Sequence, residues 1–89
     1  MKKITMFTIQ SCPYCQKARK WMKEILESDE KYREIPLTVI DELEEPEISA
    51  KFDYNYVPTY YIDDEKVHDG AATFEMVKKI FDDALIFKS

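Results

Sequence analysis

Glycine is almost missing from this chain: Gly70 stands alone among 89 residues. A loop that wraps a phosphate needs several glycines in register, so neither a dinucleotide-binding loop nor a P-loop is encoded. Histidine is as scarce. His68 is the only one, which excludes a metal site built from two or more imidazoles of one chain. No apolar run approaches the roughly 18–20 residues of a membrane-spanning helix. A basic surplus is missing too, with 18 acids against 13 bases and a net charge of −5. Phosphate backbones are held by clustered Lys and Arg, so neither nucleic acid nor membrane is expected as a partner. Met1-Lys2-Lys3 has the charge of a signal-peptide start. The apolar stretch after it is short and runs into Gln10, Ser11 and Cys12, so the expectation is a cytoplasmic protein without a signal peptide.

What the chain does have is core material. Hydrophobic residues make up 45 % and aromatics 13 %, ample for one packed core. The length implies a single domain over residues 1–89 with room for one small site. The charge is uneven. Residues 1–23 carry Lys2, Lys3, Lys17, Arg19, Lys20 and Lys23 and no acid; the remainder holds all 18 acids and the other seven bases. Positive potential near the start of the chain is one reading of this, and solvated helix faces are the plainer one.

Periodicity gives the elements. Lys3 to Ile9 is β-branched and apolar and predicts a buried strand. Pro13 suits a first helical position. Cys15, Ala18, Met22, Ile25 and Leu26 then recur at helical spacing, which predicts an amphipathic helix of about four turns ending near Ser28-Asp29. Ile35 to Ile40 reads as a second strand. Pro46 opens a short helix on which Ile48 and Phe52 lie four apart, and Asn55-Tyr56-Val57-Pro58 breaks it. Thr59 to Ile62 is a third strand, Asp63-Asp64 a turn, and Glu65 to His68 the returning strand of a hairpin. Thr73 is a candidate N-cap for a last helix carrying Phe74, Val77, Ile80, Phe81, Ala84 and Leu85. The order is β-α-β-α-β-β-α: an α/β fold with a four-stranded mixed sheet flanked by helices.

One motif carries chemistry. Cys12-Pro13-Tyr14-Cys15 places two thiols three residues apart where a strand gives way to a helix. Unpaired N–H groups and the helix dipole favour negative charge at that end, so Cys12 is expected as a thiolate nucleophile. Pro13 stiffens the turn without removing a needed N–H. Cys15, on the same first turn but deeper, can attack a mixed disulfide formed at Cys12. The plainer readings are a structural disulfide, half of a metal site, or two unrelated buried cysteines. A two-residue loop gains little entropy from cross-linking, and two thiolates need further ligands to hold a metal. Val57-Pro58 is the second element. A cis bond there is expected to present Val57 N–H and C=O to an extended peptide.

These residues resemble a glutaredoxin of the dithiol Cys-Pro-Tyr-Cys type, within the thioredoxin superfamily. The resemblance runs from the first strand to the last helix. It rests on Cys12 to Cys15, on Phe7-Thr8 before them, on Val57-Pro58, and on Gly70-Ala71-Ala72-Thr73 as the turn opening the last helix. It implies a thioredoxin fold and a thiol–disulfide oxidoreductase, with Cys12 as nucleophile and Cys15 as resolving thiol. Pro13 and Tyr14 would form the active-site loop. Val57, Pro58, Ala72 and Thr73 would bind glutathione. It implies no metal and no tightly bound cofactor, glutathione as co-substrate, disulfide-containing proteins as partners, and a monomer.

The chain departs from the family pattern at Ile9, Tyr56, Ala71 and Phe74, where a Lys or Arg, a Thr, a Gly and an Asp are common. It also has Met6 where thioredoxins carry a buried Asp. Ile9 and Ala71 favour an alternative, a thioredoxin-like redoxin reduced by a flavoprotein reductase. An alternative of another class is a dimeric module binding an iron–sulfur cluster or zinc through Cys12. Trp21, Tyr54, Tyr56, Tyr60 and Tyr61 are read as packing residues, and His68 as structural.

Overall fold

A computed structural model describes residues 2–85. Met1 and residues 86–89, the two ends of the expected 1–89 domain, lie outside the described residues. The elements run β1 (Ile4–Thr8), α1 (Pro13–Ser28), α2 (Glu30–Arg33), β2 (Leu37–Asp41), α3 (Pro46–Ser49), β3 (Thr59–Ile62), β4 (Glu65–Asp69) and α4 (Phe74–Leu85). The sheet order is β2-β1-β3-β4. β1 pairs in parallel with β2 and antiparallel with β3, and β3 pairs antiparallel with β4. This is the mixed four-stranded sheet expected from the sequence.

The pattern of each strand follows from its place. β1 is central, and all five of its residues are buried. Alternation still divides them between two faces. Ile4 and Met6 meet Ala18, Met22 and Ile25 of α1 and Val77, Ile80, Phe81 and Ala84 of α4. Phe7 points to the other face, with Ile40, Tyr61, Ile48 and Phe52. There its ring lies 4.7 Å from that of Phe52, 4.9 Å from Tyr54 and 5.9 Å from Tyr61.

Three elements differ from the sequence reading by more than one residue at an end. β2 begins at Leu37, not Ile35, because Pro36 has no N–H to give to the ladder, although its C=O accepts Ile4 N–H at 2.9 Å. The helix after Pro46 is a single turn. Its tail tightens through Lys51 N–H to Ile48 C=O and Phe52 N–H to Ser49 C=O, both 3.1 Å, so Phe52 reaches the sheet from a turn. α2 went unforeseen. Asp29 ends α1 in an extended conformation and caps the next turn by accepting Lys31 N–H at 3.0 Å. Tyr32 then fastens that turn to α4, its hydroxyl donating to Asp82 at 2.5 Å while Lys78 donates to both.

β3 and β4 join through Asp63-Asp64, with Asp63 in the left-handed region at φ 54°. Asp63 is also tied back to β1: its N–H donates to Lys3 C=O at 2.8 Å, and its carboxylate accepts Lys3 N–H at 3.0 Å. Val67 is an extra residue in β4, a bulge opposite the Tyr60–Tyr61 step. No helix among the described residues is long and apolar enough to cross a membrane.

Candidate active site

The site grows from the junction of β1 and α1. The chain leaves β1 at Thr8 and turns through Ile9, Gln10 and Ser11, with Cys12 N–H closing on Ile9 C=O at 3.0 Å. This loop is pinned from two sides. Gln10 N–H donates to the Asp41 carboxylate at the end of β2, at 3.0 Å. Gln10 C=O accepts from Gln16 at 3.2 Å and from the Arg19 guanidinium at 3.0 Å, both on α1.

Cys12 is the N-cap residue of α1, extended at φ −72° and ψ 123°, with Pro13 opening the helix. The sulfur makes no close capping hydrogen bond. The amide N–H of Cys15 faces it nonetheless and is the main influence holding the Cys12 thiol below its ordinary pKa. Loss of water opposes this; the Cys15 thiol, the Tyr14 amide and, last, the Arg19 charge support it. Of the six bases near the start of the chain, Arg19 is the one whose charge is among the main influences at Cys12. Backbone amides at the helix start outweigh it, as helix-terminus chemistry requires.

Cys15 differs in every respect. It is fully buried, and burial raises its pKa above that of an ordinary thiol. The Thr8 hydroxyl and the Ile9 N–H face its sulfur and favour the thiolate, while the neighbouring Cys12 disfavours it. Both cysteines are thiols here. The pair therefore joins a partly exposed, more acidic thiol to a buried, reluctant one.

Val57-Pro58 is a cis peptide. The Thr59 hydroxyl donates to Tyr56 C=O and ties the loop together. Pro58 C=O accepts Gly70 N–H at 3.0 Å, whereas Val57 forms no backbone hydrogen bond among the described residues. Tyr14, in the first turn of α1, and Tyr56, just before the cis bond, are both exposed, at 56 % and 67 %. Gly70 takes φ +94°, a conformation open to glycine, and Tyr56 packs beside it. His68 Nε2 donates to the carbonyls of Gly70 and Ala71 at 3.2 and 3.0 Å. Carbonyls only accept, so that nitrogen carries a proton and His68 braces the turn.

Ala72 and Thr73 lead into α4. The Thr73 hydroxyl accepts Met76 N–H at 3.2 Å and so caps the helix itself. Glu75 brings an acid into the same first turn. Among the described residues, no three His, Cys, Asp or Glu side chains converge as a metal site. The contact that the sequence reading missed is Thr8 with Arg19, at 2.7 Å. Arg19 stands one helical turn beyond Cys15, which was the available signal.

A central strand leading to a helix-capping cysteine, a second cysteine one turn in, and a cis-proline loop before the third strand together define the thioredoxin-fold dithiol proteins. The comparisons bear out the thioredoxin fold. Residues 2–82 match the family model of the thioredoxin domain, and the chain belongs to that family. No curated protein matches the sequence. Among solved structures, the oxidised thioredoxin of Plasmodium falciparum is similar, with a TM-score of 0.72 at 18 % identity over 96 % of this chain and 82 % of that one. A thioredoxin-like protein from Clostridium perfringens is similar with a TM-score of 0.68 at 24 % identity, over 94 % and 71 % of the two chains. At such identities the likeness is one of fold.

Proposed function

We propose that this protein is a thiol–disulfide oxidoreductase of the dithiol, glutaredoxin-like type. The opposed settings of its two cysteines carry the reading: Cys12 is partly exposed with a lowered pKa, and Cys15 is buried with a raised one. The Cys12 thiolate attacks one sulfur of a substrate disulfide and displaces the other as a thiolate. Cys15 then loses its proton and attacks the Cys12 sulfur of the mixed disulfide. The Cys12–Cys15 bond forms, and the second substrate thiol departs with a proton. Two electrons pass from the dithiol to the substrate. Glutathione returns the dithiol to its reduced state. Val57, without a backbone hydrogen bond among the described residues, offers its N–H and C=O to an extended peptide or to glutathione beside Pro58.

A second reading, reduction by a flavoprotein reductase, is favoured by one feature. The start of α4, where Ala72 and Thr73 would receive the glutathione carboxylate, is already capped by Thr73 and carries Glu75. An anion there meets a like charge.

The test compares turnover of a glutathione mixed disulfide and of a protein disulfide with the two reductants in turn. Cys12→Ser is expected to reduce both activities to the uncatalysed level. Cys15→Ser is expected to accumulate a mixed disulfide with protein substrate, seen by mass spectrometry. Saturation with glutathione supports the first reading. Activity only with the reductase supports the second, and full activity of Cys12→Ser would overturn both.

A further inference from the structure

A thiol as buried as Cys15 needs help to ionise, and the chain puts no acid behind it: the β1 position facing α1 one step before Thr8 is Met6, fully buried and apolar. What the structure puts there is a hydroxyl and a guanidinium. Thr8 ends β1 and is 3 % exposed. Alternation points it to the same face as Met6 and so toward α1. Arg19 lies four residues after Cys15 and shares its side of the helix. Arg19 Nη1 donates to Thr8 Oγ1 at 2.7 Å, and Nη2 to Gln10 C=O at 3.0 Å. The guanidinium is thus held in two places.

This arrangement decides where the Thr8 proton goes. A hydroxyl has one proton to give and lone pairs to receive. Arg19 can only donate, so it fills a lone pair on Oγ1 and leaves the proton for another acceptor. Cys15 is fully buried one turn before Arg19, on the side of α1 from which Arg19 reaches Thr8, so its sulfur is the acceptor that this placement offers, and Thr8 is among the influences that lower its pKa.

We propose that Thr8 and Arg19 together ready the buried thiol for the resolving step, Thr8 donating to the Cys15 sulfur and Arg19 acting as the positioning residue that turns the hydroxyl toward it. The inference rests on the dithiol reading given above. In that step the Cys15 S–H bond breaks, its sulfur bonds to Cys12 Sγ, and the bond from Cys12 to the substrate sulfur breaks. The proton ends on the departing substrate thiolate. As negative charge gathers on Cys15, the Thr8 hydrogen bond becomes charge-assisted, and Arg19 strengthens it by polarising the hydroxyl. The pair also lines a cavity of about 290 Å³ with Gln10, Val39, Asp41, Glu44 and Glu45. Solvent therefore reaches the partly exposed Arg19. Other titratable groups acting on the site are Cys12 and, from β3, Tyr60, whose hydroxyl is turned away to Met22 Sδ at 3.0 Å.

The experiment has two readouts. In a Cys12→Ser background, the Cys15 thiolate is titrated by its ultraviolet absorbance in Thr8→Val, Thr8→Ser and Arg19→Met. Val and Met are expected to move the titration to higher pH, and Ser to restore it. In the protein with both cysteines, rapid mixing with a preformed mixed disulfide measures resolution directly. Loss of a hydrogen bond to a charged group corresponds to a slowing of about tenfold in Thr8→Val and Arg19→Met at neutral pH. A purely structural role would lower the melting temperature and leave the titration in place. Unchanged Cys15 titration and resolution within about twofold of the parent would overturn the proposal. If Thr8→Val fails to fold by circular dichroism, Arg19→Met decides alone. Lack of disulfide exchange by the unaltered protein would overturn the functional reading instead, and the Cys15 titration would still decide this one.

Discussion

At the scale of single residues, two identical side chains are made chemically unlike by three positions of chain. Cys12 sits where the first amides of α1 have no helical partner, and the Cys15 and Tyr14 amides favour its thiolate. Cys15, a turn deeper, loses water and resists ionisation. The Cys12 thiol should therefore titrate below an ordinary thiol, and alkylation should rise with pH through that lower value. The same shift acts on stability. A group whose folded pKa is lowered adds stability above its unfolded pKa and loses it as pH falls through the folded one. Reduced protein should then gain in denaturation midpoint over Cys12→Ser as pH rises across that window. An equal gap at all pH values would show that the folded protein does not favour the thiolate. Because the Arg19 charge ranks behind the backbone amides at Cys12, added salt should move its titration little.

At the scale of elements, caps and turns decide where things end. Thr73 closes the start of α4 by accepting Met76 N–H. Thr73→Ala should cost about 1 kcal/mol, read as a lower urea midpoint, and Thr73→Ser should recover most of it. α4 was legible from Phe74 to Leu85 because a cap and a regular apolar stripe agree there, and β3 was legible for its aromatic and β-branched run between two turn signals. α2 was not, since a four-residue helix holds no period to read and only Asp29 announces it. The helix at Pro46 read too long because Ile48 and Phe52 both face the sheet; helical spacing and a turn deliver them alike. The two cysteines were plain in the sequence. Thr8 and Arg19 as their support were not: Arg19 is one base among six near the start of the chain, and only folding brings it to Thr8.

For the whole molecule, the sheet separates two cores of unequal kind. One is the long aliphatic contact of α1 and α4 with the sheet. The other is a smaller aromatic group around Phe7, covered by α3 and the chain after it. Phe7 adjoins Thr8, and the strand carries both to opposite faces. Phe7→Ala should cost about 3–5 kcal/mol, seen as a lower melting temperature. It should also loosen the Tyr54–Val57 loop, read by faster amide exchange there than in α4. Equal change in both regions would mean that the two cores melt as one. The Val67 bulge has a bearing on how molecules meet. β4 is an outer strand, and an outer strand with a straight row of free N–H and C=O groups is a template for a foreign chain. One unpaired residue bends that row and throws it out of step, and Glu65 and Lys66 beside it add charge. A protein whose proposed work is to receive extended peptides at one loop thus keeps its β4 border poorly shaped for receiving them.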